Sequence, residues 1–132
     1  MEKRLKKIFI LVLSILFLAA LHTTVYAAED FQTLIGKWQR SDASYVIEIR
    51  SIAADGKIAA GYFNPRPINV EKAQASIQKN LIKVELTLRD VGYPGSAYTL
   101  AYLPAKDALL GYYYHAVSGQ YFEVVFVRQP KP

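Results

Sequence analysis

Between Leu81 and Arg89 the side chains alternate without a break. Ile82, Val84, Leu86 and Leu88 fall on one face of an extended chain, and Lys83, Glu85, Thr87 and Arg89 on the other. Side chains of a β-strand alternate with a period of two, so this segment reads as a strand with one buried face and one wet face. The same period runs through Gly36–Arg40, Ser44–Ser51, Lys57–Asn64, Ser96–Leu103, Ala108–His115 and Gln120–Arg128. Ile68–Ile77 makes an eighth strand, although Glu71–Gln78 also fits two helical turns. Asp55-Gly56 is a hairpin signal, and Asn64-Pro65-Arg66-Pro67 and Asp90–Gly95 break the pattern as loops. Two prolines in Gln129–Pro132 stop the last ladder.

Eight short, evenly spaced strands joined by short loops predict an all-β fold. The arrangement that removes exposed edges is an eight-stranded antiparallel up-and-down (meander) barrel; an open sandwich is the competing one. A barrel of eight strands is filled by side chains or holds one small ligand.

The chain opens with Lys3, Arg4, Lys6 and Lys7, continues with an apolar run from Ile8 to Leu21 interrupted only by Ser14, and offers small residues in Val25-Tyr26-Ala27. That order is a secretory signal peptide, with cleavage expected after Ala27. The apolar run falls short of the roughly 20 residues a spanning helix needs, which favours a cleaved signal over the alternative of an uncleaved anchor. Residues 1–27 are thus expected to be a signal peptide and residues 28–132 a single barrel domain that is exported, periplasmic or secreted, with no membrane span after cleavage. The four basic residues, set against Glu2, supply three of the five net positive charges, so the basic balance belongs mainly to the signal and is no nucleic-acid footprint. The chain has no cysteine, so the domain holds by packing without disulfides.

Gly36-Lys37-Trp38, then a polar turn, Tyr45–Arg50 and Asp55-Gly56-Lys57-Ile58-Ala59-Ala60-Gly61-Tyr62, resembles the start of avidin and streptavidin. Gly-x-Trp with Arg128 late in the last strand is also similar to the wider lipocalin-like (calycin) group. The resemblance implies that Trp38 and Arg128 are structural, the guanidinium packing over the indole across the closed end of the barrel. It also implies polar ligand contacts at Ser41, Ser44 and Tyr62. The tryptophan box in which avidin-like sites hold biotin is not matched, because Trp38 is the single tryptophan. Tyr113, Tyr114 or Phe122 are the residues that would have to substitute for it.

In a meander, successive loops alternate between the two ends. One end collects 41–43, 64–67, 90–95 and 116–119; the other collects 53–56, 78–80, 104–106 and both termini. The first is richer chemically, bringing Asn64, Arg66, Arg89, Asp90, Tyr93 and His115 around one mouth, where barrel pockets form. Arg66 with Arg89 has the donors to clamp a carboxylate or phosphate, since guanidinium forks match such groups.

Enzyme chemistry finds little footing. No nucleophile elbow is present, one mature histidine and no cysteine do not build the usual zinc site, and no phosphate loop is seen. No catalytic residue, metal or cofactor is expected. The expected function is an exported small-molecule binding module whose ligand, anionic in one version, meets Ser41, Ser44, Tyr62, Asn64, Arg66, Arg89, Tyr93 and His115 at the mouth. The alternative is a protein-interaction or structural envelope domain with a filled barrel, partnering an envelope protein or forming a homo-oligomer. Its face would be an outer wall of tyrosines such as Tyr98 and Tyr102, or Tyr112 and Tyr114.

Overall fold

A computed structural model of the chain describes residues 2–4 and 30–132. The expected signal segment, with its cleavage point, lies outside the described residues except for positions 2–4. From residue 36 onward the chain is one antiparallel sheet: β1 (Gly36–Arg40), β2 (Val46–Ile52), β3 (Ile58–Asn64), β4 (Arg66–Ile68), β5 (Val70–Gln78), β6 (Leu81–Leu88), β7 (Ala97–Leu103), β8 (Ala108–His115) and β9 (Gln120–Arg128). The strand order is β4-β3-β2-β1-β9-β8-β7-β6-β5. Every pairing but that of β1 with β9 joins sequence neighbours, as a meander requires.

The expected fold class holds, but the strands number nine rather than eight. The expected single strand Ile68–Ile77 is divided at Asn69: β4 pairs with β3 (Tyr62↔Ile68, Asn64↔Arg66), whereas β5 pairs with β6 (Ala73↔Leu86, Ala75↔Val84). A short strand that must serve two partners has to bend between them. Asp90 fixes the bend, accepting hydrogen bonds from the Asn69 backbone N–H at 2.9 Å and its side-chain amide at 2.8 Å. The helical alternative for Glu71–Gln78 is excluded by the ladder to β6.

The sheet curls until β3 meets β5, but the two touch only at one end. Lys57 bridges Gln74, and the Ala75 N–H donates to the Gly56 carbonyl at 2.7 Å. Gly56 is required there: its φ is +87°, and a Cβ would lie 2.0 Å from the Ala75 oxygen. Beyond this contact β3 and β5 diverge, so the barrel is nearly closed, with a seam in its wall.

The alternation seen in the sequence sorts residues inward and outward. Ile47, Ile49, Val84, Leu86, Leu88, Leu100, Leu109, Val124 and Phe126 fill the interior. Tyr98 and Tyr102, expected to be available on the outer wall, point inward and are buried. Their registers explain it: Tyr98 pairs with Leu86 and Tyr113, and Tyr102 with Leu109, all inward positions. Tyr112, by contrast, does face outward and is exposed.

One element went unread in the sequence. Residues 30–32 form a helical turn that carries Phe31 and Leu34 into the core at one end of the barrel. That end is thereby plugged, and the opposite end becomes the mouth.

Candidate functional site: the tyrosine-ringed mouth

The plugged end is organised by Arg128. Its guanidinium carbon lies 4.2 Å from the centre of the Trp38 ring, the stacking geometry the resemblance implied. Nε and Nη2 donate to the two carboxylate oxygens of Asp107 at 2.8 and 3.1 Å, Nη1 donates to the Ile35 carbonyl and Nη2 to that of Thr33. The Trp38 indole N–H donates to the Leu34 carbonyl. Every polar group here has a partner, so this end seals the fold.

The mouth is built differently. Two residues beyond Trp38 on β1, the inward parity places Arg40 at the rim level; its side chain is 11% exposed. Around it stand Tyr45 ahead of β2, Tyr62 and Asn64 on β3, Tyr93 from the β6–β7 loop, Tyr98 on β7, and Tyr113 and His115 on β8. The phenols touch in a chain. Tyr45 and Tyr62 are 6.4 Å apart edge to face, Tyr62 and Tyr98 5.5 Å, Tyr98 and Tyr113 4.7 Å, and Tyr113 stacks towards Phe122 at 6.5 Å. The Tyr62 and Tyr98 hydroxyls share a hydrogen bond of 2.8 Å inside the barrel. The Asn64 side-chain amide donates to the Tyr93 hydroxyl.

Charge enters this ring through Arg40. Its guanidinium lies over Tyr45 at 5.3 Å and donates twice to Asp42, at 2.6 and 3.1 Å. Burial works against the Arg40 charge, but the Asp42 carboxylate and the neighbouring Tyr98 hydroxyl outweigh it and hold the pKa above its ordinary value. The same hydrogen bonds keep the Asp42 carboxyl below the usual carboxylate range. Asp42 itself is 61% exposed, on the β1–β2 loop. The buried partner is thus fixed by the barrel, and the partner that covers it comes from an outer loop.

Burial raises the phenols. The Tyr98 hydroxyl is pushed up to about 12, against the opposing pull of its hydrogen bond with Tyr62. Tyr62 goes well above the usual phenol range, again chiefly by burial, and Tyr113 is raised for the same reason. All three therefore stay protonated at neutral pH, and the hydroxyls of Tyr62 and Tyr98 are already committed to each other.

The structure brings some of the expected site residues together and scatters others. Tyr62, Asn64 and Tyr93 line the ring. His115 lies at its edge, where Nδ1 shares a 2.7 Å hydrogen bond with the Ser118 hydroxyl. Ser41 and Ser44 are exposed in the β1–β2 loop. Arg66 and Arg89 are both exposed beside the β4–β5 bend, and neither forms a salt bridge among the described residues. The guanidinium that the ring encloses belongs instead to Arg40. The signal for it was present: Arg40 is two residues from Trp38, hence on the same face of the strand. Tyr45 follows from the same count, two residues before inward Ile47.

Among the described residues no group of three His, Asp or Glu is placed to hold a metal, and no helix is long and apolar enough to cross a membrane. No family model, no curated protein and no solved structure matches the chain.

Proposed function

We propose that this protein is an exported, non-catalytic binding barrel, of the avidin-like or lipocalin-like kind, whose mouth takes a small ligand bearing a carboxylate or phosphate. The observation that carries the reading is Arg40: a fixed, nearly buried guanidinium inside a ring of tyrosines, covered only by a loop carboxylate. A guanidinium fork recognises an oxyanion through two parallel hydrogen bonds, and Asp42 shows that the fork is reachable by a carboxylate. A ligand oxyanion would take the place of Asp42, while the partly exposed rim rings of Tyr45 and Tyr93 hold the rest of the molecule. Tyr62 and Tyr98 are fully buried, so the site is a shallow mouth above a filled barrel.

The test is native mass spectrometry of the protein purified from its own export compartment without refolding, followed by affinity measurements on the mass retained. Arg40→Gln should weaken binding by about tenfold or more, the scale of one charge-assisted fork, whereas Arg66→Gln and Arg89→Gln should leave it within about twofold. A ligand whose affinity ignores Arg40 ends this reading.

A second reading rests on the outer wall. Tyr121 is 71% exposed, Tyr112 half exposed, and Tyr114 packs on Tyr121 at 4.9 Å. An exposed aromatic face of this kind suits a protein partner or a second copy of the chain. A clean apo mass in a discrete oligomer, lost on Tyr121→Ser, would favour it.

A further inference from the structure

The seam between β3 and β5 forms a second recess, in the side of the barrel. A cleft of about 890 Å³ lies there, lined by two kinds of residue. Arg50, Lys57, Lys72, Gln74 and Thr87 belong to the outer face. Ile58, Ala60, Val70 and Ala73 belong to the inner face by register, since they oppose Ile52, Ile49, Leu88 and Leu86, all buried in the core. Ala60 and Val70 are nevertheless only partly buried. The wall is thinnest here, and the floor of the cleft is formed by residues of the inner-face register.

The local sequence produces the opening. Two β-bulges flank it, one shifting the register at Arg50 on β2 and one at Glu71 on β5. Bulges bend and twist a strand, and these two, in the β2–β3 and β5–β6 ladders, flank the stretch between the Lys57↔Gln74 bridge and the Tyr62↔Ile68 pair where β3 and β5 form no ladder. Small side chains at Ala59, Ala60, Gly61 and Ala73 leave the gap unfilled. Gly61 also lets the Arg50 guanidinium lie against β3, for a Cβ there would stand 2.7 Å from Nη2.

The rim carries more cations than anions: Arg50, Lys57 and Lys72 stand against Glu71, and Arg50 also lies 3.5 Å from Glu48, which leaves Lys57 and Lys72 as its cations outside any ion pair among the described residues. Cations along an open strand edge also discourage sheet-to-sheet aggregation, which would account for Lys57 and Lys72. Edge protection does not account for the aliphatic floor between them. A cationic rim above a narrow aliphatic floor is complementary to one chemical class. We infer that the seam is a lateral binding site, separate from the mouth, for a small amphiphilic anion: a carboxylate or phosphate head held by Arg50, Lys57 and Lys72, and a short aliphatic body entering over Ile58, Ala60, Val70 and Ala73.

The test is titration of the isotopically labelled protein with octanoate and octyl phosphate, read by backbone amide shifts. Acetate and inorganic phosphate serve as the heads without the body, and octylammonium as the body with the wrong charge. The expected result is saturable shifts clustered at 58–60 and 70–73 for one or both octyl anions. The head that binds tighter names the ligand source. The Lys57→Glu/Lys72→Glu double variant, changed only at exposed positions, should bind about tenfold more weakly, equivalent to ~1.4 kcal/mol. Equal affinity for octylammonium, equal affinity for the bare heads, or no saturable shift at the seam overturns the inference. Shifts at Arg40, Tyr62 and Tyr98 alone would overturn it while favouring the mouth, so the two sites fail separately.

Discussion

Arg128 stands 4.2 Å over the Trp38 ring while its nitrogens reach Asp107 and the Thr33 and Ile35 carbonyls, so one side chain from the last strand ties the first strand to the N-terminal turn. Lysine keeps the charge but loses the planar fork and the stacking. Arg128→Lys should therefore cost about 2–3 kcal/mol of stability, from the cation–π contact and the unmatched carbonyls. Urea unfolding followed by Trp38 fluorescence measures it directly, since Trp38 is the sole tryptophan and lies under the contact. A change below about 0.5 kcal/mol, the size of an ordinary surface substitution, would show that the end is held by Phe31 and Leu34 alone.

The Tyr62–Tyr98 hydroxyl pair should behave as a coupled unit. Each phenol is buried, so Tyr98→Phe leaves the Tyr62 hydroxyl without its partner, whereas Tyr62→Phe leaves the Tyr98 hydroxyl with Arg40 as its remaining polar neighbour. Each single change should cost about 1–3 kcal/mol, and the double change should cost less than the sum. A double-mutant cycle with zero coupling would mean that the two hydroxyls find other partners.

Alkaline stability follows from the same burial. Tyr62, Tyr98 and Tyr113 have folded pKa values raised above those of the unfolded chain. The folded state then holds protons that the unfolded state releases, so stability is complete below the ordinary phenol pKa of about 10 and declines as pH rises through the folded values, about 12 for Tyr98. Ultraviolet absorbance of ionising phenol should show a late fraction that titrates only with unfolding, detected as simultaneous loss of near-ultraviolet circular dichroism. Titration of every tyrosine before that loss would contradict the buried ring.

Acid works on the other set. Hydrogen bonds hold three folded carboxyls low: Arg40 on Asp42, Asn69 on Asp90 and Arg128 on Asp107. Depressed carboxyls contribute stability above their unfolded pKa, near 3.9, and lose it as pH falls through the lower folded values. Asp107→Asn should lower stability at neutral pH and flatten the acid limb of the stability–pH curve. A parallel limb in the variant would remove Asp107 from the account.

How much of this could be read beforehand depended on the reach of the signal. Period-two alternation is local, so Leu81–Leu88 and most strand centres were legible, as were the meander and the place of Trp38 beside Arg128. The division at Asn69 was not, because it arises from one stretch serving two partners, β3 and β6, which alternation does not record. Tyr98 and Tyr102 were set on the wrong face for a related reason: both faces of β7 carry apolar side chains, and only the register to Leu86 and Leu109 decides. In the site, Asn64 and Tyr93 were legible from loop position and Tyr62 from the resemblance. Arg40 was overlooked because a charged residue at a strand end reads as solvated, although its parity with Trp38 pointed inward. The seam is flanked by bulges at Arg50 and Glu71, and a single extra residue leaves almost no trace in composition.

Gly111 offers a sharp test of how tightly the mouth depends on its supporting strands. It lies mid-strand on β8, opposite Leu100 and Val124. An added Cβ would stand 1.9 Å from the Thr99 carbonyl oxygen and 3.0 Å from the Leu100 Cα. Those are backbone atoms, so no rotamer change relieves the clash and β7 must move away from β8. Overpacking of this kind costs about 1–3 kcal/mol, and more where backbone has to shift; Gly111→Ala should fall at the upper end of that range by calorimetry or urea titration. Tyr98 and Tyr113 pair across the same two strands, with rings 4.7 Å apart, two residues further along. Separation of the strands should therefore also weaken the tyrosine near-ultraviolet signal under conditions where the protein remains folded. A Gly111→Ala variant with unchanged stability and unchanged signal would require β7 and β8 to be more loosely joined than their continuous ladder implies.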